Sequence, residues 1–406
     1  MLDGILSAIL LQSGYNATLV SIGACLLGIA AGTAGTFLFL RKRALISDAV
    51  AHATLPGVAI AFIMMVLFGG DGRNLAGLLI GSAITSLIGL LAVGWITKFT
   101  RLAEDAAIGA VLSVFFGAGI VLLTVIQTMS AGRQAGLEGF LLGSTAGMLY
   151  QDAVIIAVGG ALAVIAIFIL RRPMTLAAFD PEFATSQGLN VHRIDLATMG
   201  LVMAVTVIGL KIVGLILIVA MLIIPAVTAR FWSDRAERVV ILAGVFGGIA
   251  GYTGSAISAS APDLPTGPII VLVSFALFCV SFLFAPQRGV LSALIRHRRF
   301  QLLVHRRQGL LAIAHGERIY DPLTLSTLRK AGFIRSDGVA TENGTAQASK
   351  TLRDEMRWKV ARRIHQDEVV STMYDGLTPI ESILTRDQIA EIDSHIPTAD
   401  TIKDNK

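Results

Sequence analysis

The chain has 406 residues, of which 54% are hydrophobic and 15% charged, and its formal net charge is +5. A soluble domain carries about 25% charged residues, so a tandem of soluble domains is excluded. Fewer than half of the charges lie in residues 1–285, and residues 286–406 have the polarity of an ordinary soluble module. The expected organisation is a membrane body over 1–288 and a smaller polar domain over 289–406. A sequence pI near 9.4 then fits Lys and Arg in cytoplasmic loops better than it fits nucleic acid. Cys25 and Cys279 both sit in apolar runs, which gives neither a disulfide framework nor a CxxC metal site. The N-terminus lacks a basic segment followed by a cleavage site, so no removable signal peptide is expected.

A bilayer core needs about 20 apolar residues per helix. Apolar runs predict spans over 18–40, 46–68, 75–97, 106–128 and 152–170, then over 236–257 and 267–285. The stretch 196–230 is too long for one ordinary span and is interrupted by Gly209, Lys211 and Gly214. Two helices with a break near Lys211 are expected there, making nine spans, or eight if the stretch is one tilted helix. Nine spans put Arg41-Lys42-Arg43, Lys98/Arg101, Arg171-Arg172 with Arg193, Arg230/Arg235/Arg238 and Arg296–Arg299 all on one side. That side is the cytoplasm by the positive-inside rule, with the N-terminus outside and the C-terminal domain in the cytosol. The opposite loops hold fewer basic residues, chiefly Arg73 and Arg133. Residues 137–148 are too short to cross and are expected to form a re-entrant or interfacial helix on the outer side. Gly28/Gly32, Gly77/Gly81 and Gly247/Gly251 are small residues four apart, a spacing that lets membrane helices approach closely.

The most informative segment begins the second span. Asp48 and His52 are four apart in Ser47-Asp48-Ala49-Val50-Ala51-His52, so they share one helical face. Both are costly in lipid and are expected to face protein or a water-filled path. A carboxylate with an imidazole suits a first-row divalent cation such as manganese, iron or zinc. Pro56 and Gly57 loosen the helix one turn on, which leaves a carbonyl free beside the pair. The alternative is structural: Ser47 and Asp48 cap the helix and His52 is a satisfied buried histidine. Two ligands are few for tight binding, and a two-fold dimer supplies four.

Further along, Asp180 caps a short helix with Pro181 at its first position, and Gly188 ends it after about two turns. Between them lie Glu182 and Phe183. Such a helix in a cytoplasmic loop either docks on a partner or simply joins two spans. No Gly-Lys pair occurs anywhere in the chain, so there is no Walker A phosphate loop. An ATP-driven process would take its ATPase from another polypeptide.

Four segments, LISDAVAHATLPGVA (45–59), FDPEFATSQGL (179–189), VGLILIVAMLIIPAVTAR (213–230) and DLPTGPIIVL (263–272), together carry a resemblance. The chain resembles the manganese/zinc/iron permease family of ATP-binding-cassette importers. The resemblance implies an all-α polytopic membrane fold similar to the vitamin B12 and siderophore importers, in the bacterial plasma (inner) membrane. It implies pairs of permeases, identical or homologous, with an ATP-binding-cassette ATPase dimer beneath and an extracytoplasmic metal-binding protein above. Asp48 and His52 match the family's metal-coordinating pair, and the segment Asp180, Pro181, Glu182, Phe183 to Gly188 matches its coupling helix. No covalently bound cofactor is implied: manganese, iron or zinc is cargo, and catalysis belongs to the ATPase. Alternatives are a permease for chelated iron or a cobalamin-type ligand, a gradient-driven metal transporter using the pair as a proton relay, and a membrane-tethered transcription regulator.

Residues 323–363 read as a helix, Lys330-Ala331-Gly332-Phe333-Ile334, a polar turn, Thr341-Glu342-Asn343-Gly344 and a second helix. That order is similar to the winged-helix part of metal-dependent iron/manganese repressors, which implies a small α(+β) domain. A copy tethered to the membrane is poorly placed to find an operator, so a protein contact is expected rather than DNA. His365, Asp367 and Glu368 are candidate ligands for regulatory metal, against a plain solvated face. The basic runs Arg296-His297-Arg298-Arg299 and His305-Arg306-Arg307 suit anionic membrane lipid.

Overall fold

The computed structural model describes residues 10, 12, 14–70, 72, 74–129, 150–260, 264–364 and 374–396. The re-entrant segment expected at 137–148, Arg73 and Arg133, and the candidate ligands His365, Asp367 and Glu368 lie outside the described residues. The chain divides into two compact units, Met1–Ser292 and Ala293–Lys406.

In the first unit the apolar runs form α1 (Tyr15–Leu40), α2 (Leu45–Leu67), α3 (Leu75–Phe99), α4 (Glu104–Thr128) and α5 (Tyr150–Phe179). The short α6 (Pro181–Ser186) follows, then α7 (Val191–Val213), α8 (Leu215–Arg230), α9 (Ala236–Ala259) and α10 (Thr266–Phe284). Eight of these helices are long and apolar enough to cross a bilayer, and α8 is a ninth, shorter apolar helix of 16 residues. The break in 196–230 falls at Gly214, three residues beyond the expected Lys211. Gly214 has φ 83° and ψ 168°, a conformation open essentially to glycine alone. The bend brings Ile218 against Gly209.

Helix α1 is the centre of the unit. It packs against α5, α7, α8 and, most extensively, α9. Leu27, Phe37 and Leu38 of α1 are buried with Ile156 and Ile167 of α5 and Ile218 and Leu222 of α8. The α1/α9 seam is made by the expected glycines. A methyl group on Gly28 would lie 2.1 Å from the Gly247 carbonyl oxygen, and one on Gly32 2.2 Å from that of Ala243. Helices α2, α3 and α4 form a second group, where Ile46 and Val50 meet Leu90, Ile108 and Val111. Gly57 of α2 and Gly81 of α3 pack backbone to backbone. Apolar side chains left exposed, such as Ile84 and Leu91 on α3, Val121 on α4 and Ile169 on α5, suit a lipid surround.

The basic clusters gather at one end of this unit. Arg41 donates to the Ala177 carbonyl, 2.8 Å away at the end of α5. Phe39 packs among Ala226, Ala229 and Val239, at the end of α8 and the start of α9. Arg288, just past α10, pairs with Asp234 at 2.5 Å.

The second unit is built from α11 (Val290–His315), which starts just ahead of it, α12 (Pro322–Lys330), α13 (Glu342–Ile364), a 3₁₀ turn at Ile380–Ser382 and α14 (Arg386–Ser394). Leu310 packs on Leu328, Phe333, Ile334 and Ala348. A second cluster closes on Trp358 with Ala361, Ile380 and Ile392, and Trp358 Nε1 donates to the Thr378 carbonyl at 3.1 Å. The expected α(+β) character needs correcting: among the described residues there is no strand, only one antiparallel bridge, Ile334 to Ala340. Two left-handed glycines, Gly332 and Gly338, bracket that turn, and α13 begins at Glu342, so the hairpin has no length in which to form a ladder.

Candidate functional site

Asp48 lies in the first turn of α2, whose N-cap is Ala44 with no side-chain cap bond. Asp48 therefore does not serve as the cap of the structural alternative. His52 Nε2 stands 3.3 Å from Asp48 Oδ1, one turn on along the same face. The side chains are unequally covered: His52 is 18% exposed and Asp48 40%. The ring of Phe116, from α4, meets the imidazole edge-on with centroids 5.0 Å apart. His52 Nδ1 is buried and has no hydrogen-bond partner among the described residues. A buried polar atom without a partner costs about 1–3 kcal/mol, and an imidazole nitrogen is also a good ligand for divalent metals.

The helix around the pair is opened by its own sequence. Pro56 has no N–H to donate to the carbonyl of His52 one turn back. The close approach of Gly119 on α4 and of Gly81 on α3 holds this part of α2 in place. A methyl on Gly119 would lie 3.3 Å from Pro56 Cδ, and one on Gly57 would lie 2.2 Å from the Gly81 carbonyl oxygen. Among the described residues, no three His, Cys, Asp or Glu side chains cluster as a metal site. The pair thus offers one carboxylate and one imidazole per chain.

The loop helix forms as its residues dictate. Asp180 accepts from the Phe183 N–H at 2.9 Å, and Pro181 opens the helix. Gly188, at φ 80°, ends it, with Leu189 N–H returning to the Ala184 carbonyl at 3.0 Å. Ala184 is buried against the bundle, while Glu182 and Phe183 are exposed. A rigid, capped helix with an exposed phenyl ring is thereby held between α5 and α7.

The structure also joins residues that spacing gives no reason to connect. Arg41 pairs with Asp195 in the first turns of α7, and both side chains are 17% exposed. Arg43 reaches the same carboxylate at 3.3 Å and Glu104, at the start of α4, at 3.0 Å. Between the two arginines Lys42 takes a left-handed conformation, φ 58°, which turns the chain so that both face Asp195. The only hint in the sequence is an acidic residue near the start of two spans that begin beside basic loops.

The family model described as ABC 3 transport family matches residues 15–285. The chain is 42% identical over 298 residues to the manganese transport system membrane protein MntC of Bacillus subtilis (strain 168), covering 73% of this chain and 67% of that one. It is 38% identical over 293 residues to the zinc transport system membrane protein TroC of Treponema pallidum (strain Nichols), covering 72% and 97%. Its fold is similar to PsaBC from Streptococcus pneumoniae, solved in complex with Fab. There the TM-score is 0.61 at 30% identity, over 71% of this chain and 98% of that one. On these matches and its row of apolar helices, the chain belongs to the ABC 3 transport family and is a multi-pass permease subunit of an ATP-binding-cassette transporter.

Proposed function

We propose that the permease imports a divalent transition metal, manganese or zinc, and that Asp48 and His52 are its ligands inside the membrane body. The observation that carries this reading is the buried, partnerless Nδ1 of His52 beside a carboxylate on the same helical face. Carboxylate and imidazole together suit both metals, and the relatives are named for manganese and for zinc. Iron has no comparable support and is left out of the proposal. A second permease copy, identical or homologous, brings a second pair and completes a four-ligand set.

In the same reading, α6 is the coupling helix. Glu182 and Phe183 meet the ATPase, and the cap of Asp180 and the turn at Gly188 hold them in register. The basic end of the bundle faces the cytoplasm, with the N-terminus outside and nine crossings, α8 included. Residues 289–406 form a cytosolic domain that contacts protein rather than DNA. An extracytoplasmic metal-binding protein delivers the cargo.

The test is uptake by the complete transporter in vesicles, with ATPase and capture subunits present. ATP-dependent accumulation of manganese or zinc is expected. A wild-type complex that hydrolyses ATP and accumulates neither metal overturns the reading.

A further inference from the structure

We propose that Arg41, Arg43, Asp195 and Glu104 form an ionic relay that carries the ATPase stroke from α6 to the Asp48–His52 pair. The inference rests on the cargo and coupling assignments above and adds the connection between them.

Arg41 grips both flanks of the loop helix at once. One guanidinium nitrogen donates to the Ala177 carbonyl at 2.8 Å, ahead of α6, and another pairs with Asp195, just beyond it. A push on α6 therefore acts on the α1–α2 turn through a charged contact on each side. From Asp195 the connection continues to Arg43 at 3.3 Å and from Arg43 to Glu104 at 3.0 Å. These two ends lead directly to the site. The Arg43 carbonyl accepts the Ile46 N–H at 3.1 Å as α2 begins, and Asp48 follows in that first turn. Glu104 starts α4, the helix whose Phe116 lies against His52. Both walls of the pair are thus tied to the one carboxylate of Asp195.

The charges also explain why this joint moves as one piece. Arg41 and Asp195 are largely covered, at 17% exposure each. Breaking a covered ion pair on one side leaves an uncompensated charge, so a displaced Asp195 pulls its arginines with it. Two arginines share Asp195, and Glu104 balances the second. The four residues are positioning residues: none touches the Asp48–His52 pair in the structure.

The experiment uses the complete transporter in vesicles, with Asp195→Asn and Glu104→Gln. Three quantities are read: metal accumulated per ATP hydrolysed, the ATPase rate, and metal bound by the detergent-solubilised complex. The expected result is a loss of at least about tenfold in metal per ATP for Asp195→Asn, scaled from groups that orient metal ligands. The ATPase rate and metal binding stay near wild type, and Glu104→Gln gives a smaller loss. A wild-type ratio in both single variants overturns the relay. If Asp195→Asn fails to assemble, Glu104→Gln alone decides by the same ratio. Failure of the cargo reading is distinguishable, since it shows as absent uptake in the wild type, whereas failure of the relay leaves uptake and its coupling intact in the variants.

Discussion

Gly28 and Gly247 face each other so closely that a methyl group on either would lie 2.1 Å from the other's carbonyl oxygen. Backbone meets backbone, so no flexible side chain is available to give way. Replacing Gly28 or Gly247 by alanine must push α1 away from α9. Overpacking a tight site costs about 1–3 kcal/mol, and α1 is the helix on which the unit is assembled. Both variants are expected to lower the thermal unfolding temperature in detergent. Gly94→Ala is the control, because nothing lies within 4 Å of its added carbon. Equal melting of all three would refute the seam.

Asp48→Ala and His52→Ala are expected to reduce metal uptake by at least about tenfold, on the scale of losses from disturbed metal sites. Assembly with the ATPase should persist, since neither side chain belongs to the apolar clusters that hold α2 to its neighbours. Phe116→Ala should give a milder loss by freeing the imidazole ring, whose contact is edge-on at 5.0 Å. Uptake assays with expression controls decide this, and normal uptake in both Asp48→Ala and His52→Ala removes the site.

Asp180→Ala removes the bond to the Phe183 N–H, a cap worth about 1 kcal/mol. Gly188→Ala forces a side chain into the left-handed turn at φ 80°, at a cost of about 1–2 kcal/mol. Neither residue is expected to touch the bound cargo. Both variants should lower the yield of crosslinks from position 183 to the ATPase while metal binding is unchanged. Crosslinking that never joins this loop to the ATPase rules out the coupling role.

The second unit should be sensitive to acid. Hydrogen bonds from the Thr378 and Leu377 N–H groups hold Asp375 down to a pKa of about 2. Asp393 is lowered chiefly by its bonds from Arg357. Glu355 is lowered by Arg307 and Tyr374, against the opposing effect of burial. A lowered carboxylate contributes stability that is present above its unfolded value and lost as pH falls through the folded one. The unit is therefore expected to weaken between about pH 4 and pH 2. Trp358 fluorescence, in a chain with Trp95 and Trp232 replaced by Phe, reports it. Asp375→Asn should flatten the acid limb of that titration, and an unchanged limb would exclude its part.

What the sequence made legible follows from distance along the chain. Each long span carries an apolar run of about the length a bilayer needs, and α6 is spelled out by Asp180, Pro181 and Gly188 within nine residues. The pair at Asp48 and His52 was visible because one helical turn fixes their separation. In 196–230 the sequence points to Lys211 for the break, because a charge in an apolar run stands out. The real constraint is a positive φ, which only Gly214 supplies. The contact of Arg41 with Asp195 spans 154 residues and depends on how four helix ends meet, so no local pattern announces it. The winged-helix expectation rested on the order of elements. Order alone does not say whether the turn between Gly332 and Gly338 is long enough to pair as strands.

The shortness of α8 has a consequence for how the protein meets its lipid. Sixteen residues rise about 24 Å, several ångströms less than the roughly 30 Å hydrocarbon thickness of a typical bilayer. A helix that short, facing lipid, would thin the membrane around it or tilt its neighbours. None of the described side chains of α8 is exposed, however, and Ile218, Leu222, Ala226 and Ala229 are fully covered. Hydrophobic mismatch acts only where acyl chains touch protein, so membrane thickness is registered by helices with exposed apolar faces, α3, α4, α5 and α10 among them, more than by α8. The shortfall of α8 is largely screened from the lipid by its neighbours.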